Sequence, residues 1–267
     1  MAESKGMFVD TSYCTGCKGC QVACKEWNNL PMADHIGFTG NSYDNTEKLS
    51  AQNWRHVKFI EQFSDDRSMQ RWLFMSDSCK HCQHAGCMQV CPTNAIIRTE
   101  FDTVYVDQDV CIGCRYCVAG CPFGVISMDE VSGTAKKCTL CYDRLQEGMQ
   151  PACAQTCPTG AIQFGNVEEL RAKAEARAQV LRKSGEQEVH IYGTEETFGG
   201  LNVFYLLLDK PEVYGLPTNG KLPSQKLGRG YVSSLIGLVG VGLAGLLTFR
   251  ANRMKMLEEQ KDEHFSS

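Results

Sequence analysis

Sixteen cysteines in four groups of four constrain this 267-residue chain more than any other feature. The groups are Cys14, Cys17, Cys20 and Cys24; Cys79, Cys82, Cys87 and Cys91; Cys111, Cys114, Cys117 and Cys121; and Cys138, Cys141, Cys153 and Cys157, with no cysteine left over. Three thiolates spaced by two residues wrap one iron-sulfur cubane, and a fourth three residues on, followed by Pro, reaches a neighbouring cluster. The third group, Cys111-Ile112-Gly113-Cys114-Arg115-Tyr116-Cys117 and then Cys121-Pro122, follows that run without departure, and the second differs only by two extra residues before Cys87. In the first group Lys25 stands where the Pro would be. In the fourth, eleven residues separate Cys141 from Cys153, ahead of Cys157-Pro158.

Two other chemistries use clustered cysteines. Disulfides require an oxidising compartment, and no secretory apolar run marks the N-terminus. Zinc sites close one tetrahedron with two separated C-x2-C pairs, whereas a C-x2-C-x2-C triple supplies one face of a cubane. The reading is therefore four [4Fe-4S] clusters with all sixteen cysteines as iron ligands, and cluster ligation replaces much of the apolar core a chain of this length would need. Net charge is −4 and no basic tract is dense, so nucleic acid is excluded as a partner.

Along the chain, residues 25 to 78 separate the first cysteine group from the rest, with Trp27, Trp54, Trp72 and a turn-rich run Gly40-Asn41-Ser42-Tyr43-Asp44-Asn45. Short alternating segments such as Thr103-Val104-Tyr105-Val106 read as hairpin strands. Asn166 to Leu181, rich in Glu, Ala, Arg and Leu, reads as a helix, and Leu201 to Leu208 as a strand. Lys80, His81, Arg115, Lys136 and Lys137 stand beside cysteines and are candidates for raising cluster potentials, although most are expected as solvated surface charges.

Tyr231 to Phe249 is nineteen residues without a charge. At about 1.5 Å per residue this just spans a hydrocarbon core of about 30 Å, and its aromatic ends suit the two interfaces. Ser233, Gly237, Gly240, Ala244 and Thr248 recur at steps of four and three, a strip that lets another helix approach closely. The span holds no His, so any haem in the bilayer belongs to another subunit. Lys221, Lys226 and Arg229 precede it and Arg250, Arg253 and Lys255 follow it, so the charge count does not choose an orientation.

Several passages then narrow the field: Gln21-Val22-Ala23-Cys24-Lys25-Glu26-Trp27-Asn28, Ser42-Tyr43-Asp44-Asn45, Leu49-Ser50-Ala51-Gln52-Asn53-Trp54, Lys137-Cys138-Thr139-Leu140-Cys141, Cys157-Pro158-Thr159-Gly160-Ala161-Ile162, and Asp209-Lys210-Pro211 leading to Tyr214-Gly215-Leu216-Pro217. With the cysteine groups they resemble the iron-sulfur (beta) subunit of respiratory formate dehydrogenases, across nearly all of residues 8 to 215 and more loosely through the C-terminal span. The resemblance implies an α+β fold of two ferredoxin-like domains, each holding two clusters, followed by a linker and one transmembrane helix. It also implies a molybdopterin (Mo or W) catalytic alpha subunit that oxidises formate, with this chain carrying the electrons onward to a membrane cytochrome b and quinone. No residue set here resembles a substrate, hydride or proton-acceptor site, so the chain itself is read as non-catalytic.

Nineteen residues separate Cys91 from Cys111, close to the spacing of a two-cluster ferredoxin, so groups two and three are expected to exchange their fourth ligands, leaving groups one and four to each other. The four sets are then Cys79, Cys82, Cys87 with Cys121; Cys111, Cys114, Cys117 with Cys91; Cys14, Cys17, Cys20 with Cys157; and Cys138, Cys141, Cys153 with Cys24, in agreement with the family resemblance. Sequential exchange, group one with two and three with four, is the competitor. The nested scheme divides the chain into residues 1–30 with 131–165 as one domain, 31–78 as an insertion, 79–130 as the second domain, 166–230 as helix, strand and linker, 231–249 as the transmembrane helix and 250–267 as a tail. The same cysteines would serve a hydrogenase or a polysulfide or other oxyanion reductase equally well. A free ferredoxin needs neither the insertion nor the anchor. Residues 1 to 13 show no twin arginine and no apolar run, so the cluster domain is expected to reach the periplasm, if at all, alongside a signal-bearing partner.

Overall fold

The computed structural model describes residues 3–32, 37–40, 43–66, 70–218 and 220–265. Asn41 and Ser42 of the turn-rich run lie outside the described residues. Through Pro223 the chain forms one compact unit, and from Ser224 a second.

The first unit opens with strand β1 (Lys5–Asp10) and helix α1 (Gly19–Trp27). There follow a long hairpin, β2 (Arg55–Phe63) and β3 (Gln70–Ser78), paired from Arg55↔Ser78 to Phe63↔Gln70. Its burial runs from inside at the base to exposed at the tip, which places Arg55, His56, Ser76 and Ser78 in the interior. The sequence reading took this stretch as an insertion and gave it no strands. Next come α2 (Gly86–Gln89), a small hairpin β4 (Ile96–Arg98) and β5 (Val104–Val106), α3 (Tyr116–Gly120), and a second small hairpin β6 (Ser127–Met128) and β7 (Ala135–Lys136). The alternation in Thr103–Val106 thus gives the expected hairpin strand, with Val104 and Val106 buried and Tyr105 half-buried.

Helices α4 (Tyr142–Gln146) and α5 (Ala152–Gln155) lead into β8 (Ile162–Asn166), α6 (Val167–Lys183), β9 (His190–Tyr192) and β10 (Val203–Leu207). The central sheet has the order β8-β1-β10-β9. β1 runs parallel to β10 (Met7↔Val203) and antiparallel to β8 (Val9↔Ile162). All five residues of β10 are buried, which is why Val-Phe-Tyr-Leu-Leu reads as a continuous apolar run rather than an alternating one. Leaving Leu201, Asn202 and Leu208 outside it, the strand is shorter than the sequence indicated.

Helix α6 packs on β1 and β8 through Val167, Leu170, Ala174 and Ala178, a stripe spaced three and four apart. Its start is fixed by Asn166, whose Oδ1 accepts from the backbone N–H of Glu168 (2.8 Å) and Glu169 (3.3 Å), while Glu168 and Glu169 favour the positive end of the helix dipole. Asn166→Ala removes that cap. It is expected to cost the helix about 1 kcal/mol, read as roughly fivefold faster hydrogen exchange of its amides without loss of the rest of the fold.

The second unit is one helix, α7 (Pro223–Phe265). Within it Tyr231–Met256 has a mean hydropathy of 2.0 and no part of that window is buried, so it is long and apolar enough to cross a membrane. The helix extends well beyond the 231–249 core at both ends, because the polar flanks carry no helix breaker after Pro223.

Candidate metal centres

The C-x2-C loops turn because two of their residues adopt left-handed backbone. In the first group these are Gly16 (φ 69°) and Lys18 (φ 61°), and in the third Gly113 (φ 70°) and Arg115 (φ 66°), so the same alternation brackets the second cysteine of each loop. Such turns fold three successive thiols toward one side. At Gly113 the requirement is double, since a Cβ there would also run into the carbonyl oxygen of Gly133. Helices α1 and α3 begin directly after these turns and carry Cys20, Cys24 and Cys117 inward.

Three hollows result, one lined by Cys91, Cys111, Cys114 and Cys117, a second by Cys79, Cys82, Cys87 and Cys121, and a third by Cys14, Cys17, Cys20 and Cys157. The remaining four cysteines also gather: the thiol of Cys24 is pushed well up, by burial first and then by Cys138, Cys153 and Cys141 around it. Helices α1 and α5 pack together there, and α5 holds Cys153. Each place where the structure brings cysteines together therefore draws three from one sequence group and one from another, group one with four and group two with three.

Burial makes these thiols reluctant to ionise. It pushes Cys14, Cys117 and Cys141 up to about 11 and Cys87 and Cys153 up to about 12, with neighbouring thiols adding to the rise. Backbone N–H groups work the other way. Cys138 Sγ accepts from Leu140 N at 3.4 Å. At Cys91, less buried, the N–H groups of Ile96, Thr93 and Ala95, with the Thr93 hydroxyl, outweigh burial and lower the thiol. Four thiolates facing one buried void repel one another, and a cationic metal core removes that cost.

The walls add donors and cations. Lys80, His81 and Lys137 are at most 2 % exposed, against the expectation that such residues lie mostly on the solvated surface; Arg115 is exposed and Lys136 half-buried. Asp77 explains the first: Lys80 Nζ donates to its Oδ1, and Lys58 reaches its Oδ2 at 3.3 Å. Lys137 Nζ donates to the carbonyls of Val104 and Cys138, and it opposes the rise of the Cys87 thiol. His81 Nδ1 accepts from Val104 N at 3.0 Å, which leaves the proton on Nε2, and burial keeps the ring neutral. That Nε2 is buried in the wall of the Cys79 cavity with no hydrogen-bond partner. An unpaired buried donor is costly, and a sulfide or thiolate of a bound cluster is the acceptor this site lacks.

A single metal ion does not suit the same donor sets, since among the described residues no three His, Cys, Asp or Glu side chains close around one. The residues fit a polynuclear, thiolate-bound group: all-sulfur donors, N–H groups directed at sulfur and cations in the walls. Sequence spacing gave no sign of Arg55, which lies outside all four groups yet is buried among them at the base of β2.

Two matches to the 4Fe-4S dicluster domain cover residues 13–95 and 70–167. The chain is 42 % identical over 219 residues to the formate dehydrogenase, nitrate-inducible, iron-sulfur subunit of Escherichia coli, covering 80 % of this chain and 73 % of that protein. It is 38 % identical over 264 residues to the formate dehydrogenase iron-sulfur subunit of Haemophilus influenzae, covering 96 % and 83 %. The B subunit of the anaerobic dimethyl sulfoxide reductase of Escherichia coli is 38 % identical over 177 residues, 65 % of this chain and 78 % of that protein.

Proposed function

The protein belongs to the family of formate dehydrogenase iron-sulfur subunits, and from that premise we propose that it is the electron-transfer subunit of a membrane-bound formate dehydrogenase. The observation that carries the reading is the gathering of the sixteen cysteines into four sets of four, three of them lining one hollow each. On this reading the sets are Cys14, Cys17, Cys20 and Cys157; Cys24, Cys138, Cys141 and Cys153; Cys79, Cys82, Cys87 and Cys121; and Cys91, Cys111, Cys114 and Cys117, each holding one [4Fe-4S] cluster. When bound, the clusters supply one-electron redox chemistry. The chain's own residues hold the thiolates in place, direct N–H groups at them, and supply buried cations that favour added negative charge.

On this reading the ligand sets also divide the chain into domains: residues 1–30 with 131–165 carry two sets and residues 79–130 the other two, with residues 31–78 as an insertion. A molybdopterin catalytic subunit, with Mo or W, is the electron donor in this reading, and a membrane cytochrome b feeding quinone the acceptor. Helix α7 is the single-pass anchor, and the cluster domain is periplasmic, exported with a signal-bearing partner. A second reading, the matching subunit of another molybdoenzyme reductase, is favoured by the likeness to the dimethyl sulfoxide reductase subunit; against it, the formate dehydrogenase relatives cover 80 % and 96 % of this chain rather than 65 %.

Formate should reduce the clusters of this chain only when its catalytic partner is present. Visible absorbance of the loaded chain, followed with formate alone and again after the partner is added, reads this directly. Bleaching by formate in the isolated chain would reject the non-catalytic role. Copurification with a catalytic subunit that reduces dimethyl sulfoxide and ignores formate would select the second reading.

A further inference from the structure

Arg55 is a buried cation without a carboxylate. It opens β2 at 1 % exposure, and among the described residues no Asp or Glu lies within ion-pair distance of it, unlike Lys80, which has Asp77. Its hydrogen bonds go to neutral atoms: Nη1 donates to Ser76 Oγ at 2.9 Å, and Nη2 to Ser78 Oγ at 3.2 Å and Met7 Sδ at 3.4 Å. Nε is buried with no partner at all. A guanidinium so enclosed stays protonated and is destabilising unless an anion answers it.

The anions nearest it are thiolates of two different sets, because β2, which Arg55 opens, packs on α1, and α1 carries Cys20 of one set and Cys24 of the other inward. Ser76, which holds Nη1, lines the Cys14 cavity, and its hydroxyl is 3.2 Å from Cys20 Sγ. Burial acts against charge on Arg55, and Cys153, Cys20, Cys138 and Cys24 act together to favour it.

We propose that Arg55 is the shared counter-cation of two clusters, the one held by Cys14, Cys17, Cys20 and Cys157 and the one held by Cys24, Cys138, Cys141 and Cys153, and that it holds the potentials of both up. A four-iron core with four thiolate ligands is a net anion and gains a further negative charge on reduction, so a fixed cation between two such groups favours the reduced form of each. Arg55 touches neither substrate nor partner in this account. It is a positioning residue for charge, and the proposal rests on the cluster reading above.

The test is an EPR-monitored redox titration of the full-length, cluster-loaded chain and its Arg55→Met and Arg55→Lys variants. Arg55→Met is expected to lower the midpoint potentials of these two clusters by about 59 mV or more, a tenfold loss in the ratio of reduced to oxidised cluster. The cluster held by Cys91, Cys111, Cys114 and Cys117 should stay in place, and Arg55→Lys should keep more than half of the effect. Unmoved potentials in loaded Arg55→Met, or an equal shift of all the clusters, would overturn the proposal. If Arg55→Met does not load, a loaded Arg55→Lys beside it supports the need for charge, whereas failure of both marks a packing role and overturns it. Iron and sulfide analysis of the unsubstituted chain, expected at about sixteen of each, tests the premise separately: a chain without iron sinks the cluster reading, while unmoved potentials in a loaded variant sink only the role of Arg55.

Discussion

Cys24→Ser is expected to cost the chain the cluster held with Cys138, Cys141 and Cys153 and to leave the cluster of the Cys79 cavity unchanged. Cys24 sits on the last turn of α1, seven residues after Cys17, yet its thiol is buried against the fourth cysteine group rather than the first or second. Asn28 holds that turn by donating from Nδ2 to the Cys24 carbonyl at 2.8 Å. A serine hydroxyl is far less acidic than a thiol and a harder donor, so it binds a thiolate-ligated iron core poorly. The measurable result is a loss of up to about four iron atoms per chain, or about one if a three-iron core survives, with one EPR signal changed. Cys153→Ser should change the same signal, and Cys79→Ser a different one. If Cys24→Ser and Cys79→Ser altered the same signal, the nested ligand exchange would be wrong and the sequential one right.

The cysteine spacing made the gathering of thiols legible because it is local: a C-x2-C-x2-C loop with left-handed turns at Gly16 and Lys18, or Gly113 and Arg115, needs little else to present three thiols on one side. The C-terminal helix was legible for the same reason, since a charge-free run from Tyr231 to Phe249 needs no partner to declare itself. The β2–β3 hairpin was not. Its residues Arg55-His56-Val57-Lys58-Phe59 mix charge with apolar side chains, and the pattern makes sense only once the base of the hairpin lies over buried cysteines. Asp44 illustrates the point, for from a run that reads as turns it meets His56 Nε2 at 2.8 Å in the interior, twelve residues along the chain. Likewise the central sheet pairs β1 with β10 from the far end of the unit, a parallel contact that no local pattern in Lys5–Asp10 announces. The buried polar residues were misjudged by the same route: Lys80, His81 and Lys137 are charged or polar in the sequence, and their burial follows from what surrounds them, Asp77 for Lys80, the Val104 N–H for His81 and the carbonyls of Val104 and Cys138 for Lys137.

Removing residues 224–267 is expected to abolish binding of the chain to lipid. The cut falls where the first compact unit ends, after Leu222, which is itself buried in that unit, so the cluster-bearing part should keep its fold. What is lost is a helix on which Leu235, Ile236, Val241 and Leu246 are each at least 60 % exposed. Between Tyr231 and Phe249 ten residues are Val, Leu, Ile or Phe and none is charged. Each such side chain favours insertion by about 0.3–0.6 kcal/mol at the centre of a membrane helix, while a single Lys or Arg there would cost about 2.5–3.5 kcal/mol, so an uncharged run of this composition partitions into lipid without help. Ser233, Ser234 and Thr248 do not prevent this, because a helix satisfies hydroxyls internally, as Thr248 Oγ1 does by donating to the Ala244 carbonyl at 3.0 Å. Flotation of the full-length and truncated chains with lipid vesicles, both made without any partner subunit, separates the alternatives. The full chain should float and the truncated, loaded chain should stay behind. A truncated chain that still floats would place the lipid contact in the cluster unit, and a full-length chain that fails to float would make α7 a segment that seats on a partner's helices rather than an anchor in its own right.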